Sequence, residues 1–166
     1  MIGAIVDGYA SGMTTNVVET IDVAVPVSTA YNQWTQFESF PKFMDGVERI
    51  DQVSATRTHW LTKIADVQRE FDAEITEQNP DERIAWTSVD GPKQAGVVTF
   101  HRLGEGTSKV MLQMDFEPEG VVETAGDKLG VVGRRVESDL KRFKSFIESR
   151  GTEEGGWRGT VERPTP

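Results

Sequence analysis

Cysteine is missing from this 166-residue chain, and histidine occurs only at His59 and His101. The first absence rules out disulfides, thiolate zinc sites, iron–sulfur clusters and cysteine nucleophiles together. The second leaves too few imidazoles for a metal centre, so no metal site is expected. Positive charge is also scarce: 18 basic side chains stand against 27 acidic ones, for a net charge of −9. Such a field opposes sequence-independent contact with nucleic acid or an anionic membrane surface. No run reaches the ~18 apolar residues of a spanning helix, so stable membrane insertion is not expected. The stretch 1–16 carries one charge, Asp7, and lacks the cationic start and sustained apolar run of a secretory signal. The expected location is the cytoplasm, and the composition calls for no cofactor.

What is present is a pattern of short alternating runs. With 37% hydrophobic residues, the chain supports one domain with a modest core. Residues 17–25 place Glu19 among apolar neighbours and alternate at Ile21, Val23 and Val25, which reads as a first strand. Pro26 ends it, and Ser28 is the expected N-cap of a short helix carrying Tyr31 and Trp34 on one face. The aromatic stretch 37–44 contains Pro41 and reads as a bent connector. Six further strands follow, over 47–53, 58–67, 68–78, 83–89, 94–103 and 107–117. Asn79-Pro80-Asp81, Asp90-Gly91-Pro92 and Gly104-Glu105-Gly106 supply turns between them. Short turns between successive strands make an antiparallel meander.

The period then changes. Ala125, Leu129, Val132, Val136, Leu140, Phe143 and Ile147 recur at helical spacing, predicting one long helix over 119–149. At ~1.5 Å per residue its roughly 30 residues span about 45 Å, enough to cross a small sheet. Gly151 is a natural stop. The expected organisation is a loose tail over 1–16, one domain over 17–150, and a second tail over 151–166 that docks locally through Trp157 or not at all.

Alternation also assigns faces. Val110, Leu112, Met114 and Phe116 turn one way in the last strand, toward the helix. Phe71, Ala73 and Ile75 with Arg69, Ile84, Trp86 and Ser88, and Trp60, Thr62 and Ile64 followed by Asp66 form matching inward sets. Glu70, Asp72 and Glu74 turn outward, as do His59 and His101, which sit beside Trp60 and Phe100.

At this point the chain resembles a known group. Val23-Ala24-Val25-Pro26-Val27-Ser28 leading to Tyr31 and Trp34 carries the likeness, with the Phe40-Pro41-Lys42-Phe43-Met44 connector. So do the run from Glu74 through Asn79-Pro80-Asp81 to Trp86 and the helix ending Asp139-Leu140-Lys141-Arg142-Phe143-Lys144. These resemble the SRPBCC (START-like) superfamily, and most of all its polyketide cyclase/dehydrase and lipid-transport type. The resemblance implies an α+β helix-grip fold: a seven-stranded antiparallel sheet curved around a long C-terminal helix, with two short helices after strand 1. It also implies a cavity between sheet and helix that takes a small hydrophobic molecule.

The candidate ligand-binding residues are Trp60, Asp66, Arg69, Phe71, Trp86, Phe100, Met114, Phe116, Gly126, Leu129 and Gly133. The aromatic and thioether groups serve either as ordinary core or as cavity wall. Arg69, oriented by Asp66, either closes a strand-end ion pair or anchors a carbonyl, phenolate or carboxylate on the ligand. Gly126, Gly130 and Gly133 each cost about 1 kcal/mol in a helix, so close packing or room for a ligand must compensate. Phe37, Phe40, Phe43 and Met44 are expected at the entrance. No catalytic residue is assigned, because no inward histidine or converging carboxylate pair is visible. A carrier of a lipid- or polyketide-like molecule is therefore the first reading. A cyclase, aromatase or dehydratase using the same cavity is the second, and a protein-interaction module with a filled core the third. A homodimer is compatible with each.

Overall fold

The computed structural model describes residues 15–64, 67–91, 93–116 and 128–162. Strand β1 (Thr15–Val23) leads through Pro26 into helix α1 (Val27–Trp34), and a 3-10 helix (Phe37–Lys42) follows. Strands β2 (Val47–Gln52), β3 (Arg57–Ile64), β4 (Val67–Asn79), β5 (Arg83–Ser88), β6 (Gln94–Gly104) and β7 (Thr107–Phe116) precede helix α2 (Lys128–Arg150). All seven strands form one antiparallel sheet ordered β1-β7-β6-β5-β4-β3-β2, in which the first strand closes against the last. This is the helix-grip arrangement. The predicted helix start at 119 falls outside the described residues, as do Asp66 and Gly126.

Two local details depart from expectation. Helix α1 begins at Val27, with Pro26 in the cap position and no side-chain cap. The proline ring presets an extended entry, and the Pro26 carbonyl accepts the first helical bond from Ala30 N at 3.1 Å. Ser28 is thus inside the helix rather than capping it. The connector is a 3-10 helix, whose three-residue turn stacks Phe37 and Phe40 on one side and carries Phe43 just beyond. All three rings, with Met44, are buried, so they form core instead of an entrance.

That core has a definite centre. Trp34 meets Phe40, Phe43 and Phe143 with ring centroids 5.2, 5.4 and 5.3 Å apart, and Phe43 meets Phe143 at 5.1 Å. Tilted and edge-on geometries of this kind add about 0.5–1.5 kcal/mol per pair beyond apolar burial. The half of α2 that carries Val136, Leu140, Phe143 and Ile147 presses this aromatic plug onto the sheet. Buried Asp139 fixes the level of α2: its Oδ1 accepts from Asp45 N at 3.2 Å and from Arg142 Nη2 at 2.5 Å. Burial pushes its carboxyl upward, opposed by both bonds.

The chain beyond Gly151 returns across α1. Gln33 clasps Glu154 twice, through Nε2 to Oε1 at 3.1 Å and Oε1 from the Glu154 N–H at 2.9 Å, and Lys42 pairs with the same carboxylate. Arg158 bonds Asp81 at 2.9 Å and Asn32 Oδ1 at 2.8 Å and lies 5.6 Å over the Tyr31 ring. Val161 then pairs with Gln78 through two backbone bonds of 2.8 and 2.9 Å. It takes the stretch of β4 that β3 vacates after pairing Arg57 with Glu74. Lys42 holds the Glu154 carboxyl down at about 2. A folded-state value below the usual carboxylate range stabilises the docked tail fully above about pH 4.5 and loses that contribution as pH falls toward 2. The protection factor of the Val161 amide, its exchange rate relative to the unfolded chain at the same pH, is therefore expected to fall through this acid window while that of Phe143 is retained. Glu154→Gln should loosen Val161 already at neutral pH; equal protection in both proteins would refute the latch.

Candidate functional site

The concave face can be read row by row from the strand register. Glu19, Leu112, Val98, Ile84 and Gln78 form one row, and Val17, Met114, Gly96, Trp86 and Ile75 the next. On the β3 side, Ile50, Trp60 and Phe71 lie opposite one another, followed by Thr62 facing Arg69. Phe40 of the aromatic plug meets Trp60 of this face at 6.1 Å, and Phe37 beside it meets Trp86 at 6.2 Å, both edge-on. The two indoles stack with Phe71: Trp60 lies 5.7 Å from Phe71 with planes 16° apart, and 5.9 Å from Trp86 with planes 28° apart.

Gly96 makes the Trp86 position possible. A Cβ built there would fall 2.4 Å from Trp86 Cζ2, so the indole lies flat across the β6 backbone, over the strand that separates it from Met114. The two indoles differ in their polar ends. Trp60 Nε1 donates to Thr58 Oγ1 at 2.8 Å, and that hydroxyl donates onward to the Ala73 carbonyl at 3.3 Å. Trp86 Nε1 is enclosed and has no partner among the described residues. A buried donor left unpaired costs about 1–3 kcal/mol. Tyr31 Oη and Trp34 Nε1 share that condition, and like Trp86 they are packed by neighbouring rings.

The structure gathers part of the predicted set. Trp60, Phe71, Trp86 and Met114 share one end of the concave face. Phe100 goes to the other, with its ring edge-on to Tyr31 at 5.3 Å. Arg69 is half-buried opposite Thr62 and already engaged in an interaction. Gly133 lies on α2 across from β1. Phe116 and Leu129 occupy β7 and α2, but their side chains lie outside the described residues, with Asp66 and Gly126. On the convex face His59 bridges Asp72 at 2.5 Å and Glu70 at 2.7 Å, and these carboxylates hold its imidazole above the ordinary histidine range.

Sequence reasoning passed over Glu19. Val17, Glu19, Ile21 and Val23 share one parity, and Val17 and Val23 are in the core, so the carboxylate between them points inward. The alternation that assigned the other strands contained this signal. Among the described strand residues, Glu19 is the one carboxylate on the concave face.

This fold and wall match a known family. The family model described as polyketide cyclase/dehydrase and lipid transport matches residues 23–144. The chain belongs to that family. A Streptomyces lincolnensis protein, described as an uncharacterized 17.2 kDa protein of the melC2-rnhH intergenic region, is 66% identical over 146 residues, covering 87% of this chain and 97% of its own. The Zhui aromatase/cyclase from Streptomyces sp. R1128 superposes with a TM-score of 0.68 at 16% identity, covering 87% of this chain and 99% of its own. A START superfamily protein from Mycobacterium smegmatis gives 0.65 at 16% identity, covering 82% and 96%. At these identities the two solved structures establish the shared fold. Among the described residues, no helix of this family member is long and apolar enough to cross a membrane.

The wall depends on one contact that substitution can break. Gly96→Ala places a methyl within 2.4 Å of Trp86 Cζ2 and must displace the indole or bend β6. A loss of about 1–3 kcal/mol is expected in urea unfolding, with altered near-ultraviolet circular dichroism from the moved indole. Unchanged stability and spectrum would show that the ring is not confined.

Proposed function

We propose that this protein binds a small, largely apolar molecule with aromatic character between the curved sheet and α2, against Trp60, Phe71, Trp86 and Met114. The observation that carries the reading is Trp86: a buried indole on an apolar wall whose N–H has no partner. A ligand carbonyl or ether oxygen would satisfy it. Affinity would come chiefly from apolar burial, at ~25 cal/mol per Å², and the N–H would set orientation. Family membership supports the same reading, since the family's description joins cyclases and dehydrases to lipid transport.

Carriage is favoured over catalysis by the spacing of the polar groups. Glu19 on β1 and Arg69 on β4 stand four strand positions apart, about 19 Å along the sheet at ~4.8 Å per step. No described acid stands beside a described base on the concave face, as concerted proton transfer would require. Trp86→Phe keeps the ring and deletes the donor. Mass spectrometry of organic extracts of the purified protein should recover a small apolar compound, returned unchanged after incubation with fresh protein. Its affinity should fall about 5–10-fold in Trp86→Phe with stability retained. Conversion of the compound would favour the cyclase reading, and an affinity indifferent to Trp86→Phe would remove the indole from the site.

A further inference from the structure

Helix α2 packs along the edge strand β1. At their lower junction they are stitched together: Lys144 donates to the Asp22 carbonyl at 3.0 Å, and Glu148 accepts from Ala24 N at 2.7 Å. One helical span higher, Asn16, Val17, Val18 and Glu19 on one side and Gly133 on the other line a shallow cleft of about 210 Å³ that is largely open to solvent. A cleft of this size and openness suits the polar end of a molecule whose remainder lies elsewhere.

Gly133 explains why the cleft is open. A helical glycine costs about 1 kcal/mol relative to alanine, and forced close packing is the ordinary compensation. That compensation is absent here. A Cβ at position 133 would find its nearest neighbour, Glu19 Oε2, at 3.8 Å, which is ordinary van der Waals distance. Alanine would fit, so the missing methyl keeps space in front of the Glu19 carboxylate.

Glu19 is itself anomalous. Its β1 neighbour Asp22 meets Lys109 at 3.4 Å, and Asn16 bonds Asp115 at 2.7 Å. Glu19 points inward beside Leu112, half-buried, with neither an ion pair nor a hydrogen bond to any described residue. Placing an unpartnered carboxylate on an apolar face costs stability without structural return.

We infer that the β1–α2 cleft is a recognition subsite in which Glu19 accepts a hydrogen bond from a donor group, a hydroxyl or a protonated amine, at one end of the bound molecule. This rests on the ligand-binding reading above and adds the polarity of the ligand to it. The charge excludes carboxylate-ended molecules from this end, and the edge position of β1 leaves backbone groups of the same strand facing the cleft. The ligand class is then an apolar ring system with a donor at the end held by β1.

The test uses 2-naphthol, 2-naphthylmethylamine in its ammonium form, and 2-methoxynaphthalene, which keeps the rings but cannot donate. Calorimetric titration of the full chain should show either donor binding about tenfold more tightly than the ether, a charge-assisted hydrogen bond's worth. Preference for one donor over the other separates hydroxyl from amine. In Glu19→Leu the tenfold ratio should collapse to about one, while the thermal midpoint rises by about 2–4 °C once the unpaired charge is gone. Gly133→Ala, which gains helix propensity and so keeps the fold, should weaken both donors by narrowing the cleft. A ratio near one in the parent protein, or a ratio unaffected by Glu19→Leu, overturns the Glu19 subsite while ligand binding stands. Failure of all three probes to bind, with no compound recovered from the purified protein, overturns both.

Discussion

The aromatic plug under α2 is the constraint on which the rest of the molecule depends. Trp34, Phe40 and Phe43 come from helix α1 and the 3-10 helix with its exit, one short stretch of chain, and Phe143 comes from helix α2, far along the sequence. Their contacts fix how far the helix stands from the sheet at one end. The plug sets where the interior is solid, and it reaches Trp60 directly and Trp86 through neighbouring Phe37. The Asp139 to Asp45 bond and the Arg142 Nε bond to the Phe43 carbonyl at 3.3 Å hold the helix at that level.

Much of this was legible in the sequence because strand alternation and helical period are one-dimensional signals. The meander, its turns at Asn79-Pro80-Asp81 and Gly104-Glu105-Gly106, and the Val136, Leu140, Phe143 and Ile147 stripe were all readable that way. The Pro80-Asp81 turn even takes the backbone such a turn requires, with Asp81 at φ 64° and Glu82 N bonded to the Asn79 carbonyl at 3.0 Å. What alternation cannot show is which aromatic segments converge. Phe37, Phe40 and Phe43 read as an entrance because they follow a short helix and contain a proline. They are core because a 3-10 turn aligns them and distant Phe143 meets them. Phe100 and Trp86 had equal standing as inward aromatics, yet Phe100 meets Tyr31 of α1 while Trp86 stacks on Trp60 and meets Phe37. Glu19 is a different case, since its parity was visible and its meaning emerged only when no partner came to meet it.

The charge distribution follows the same geometry. The excess of acid lies largely on the convex face and the tails, where carboxylates find partners cheaply: Glu70 and Asp72 with His59, Glu74 with Arg57 at 3.5 Å, Glu154 with Lys42. Pairs this exposed contribute little individually. Their value lies in placement, since Arg158 and Glu154 are spent on binding the chain's own tail over α1. The concave face instead carries few charges, and each is conspicuous for that reason.

Two glycines show how such an interior is made. Gly96 is required by contact: any side chain would strike Trp86 at 2.4 Å, so its absence lets a large ring lie flat and form wall. Gly133 is required by nothing that touches it, since the nearest atom to an added methyl is 3.8 Å away. One glycine makes room for a residue of the protein, and the other leaves the space before Glu19 unfilled. A fold whose helix is already fixed at one end by an aromatic plug can tolerate the second kind, because the local loss of about 1 kcal/mol is small against the burial of the plug. Binding specificity in such an architecture is a matter of what is left out of the core, and the rigid end is what allows the other end to be left open.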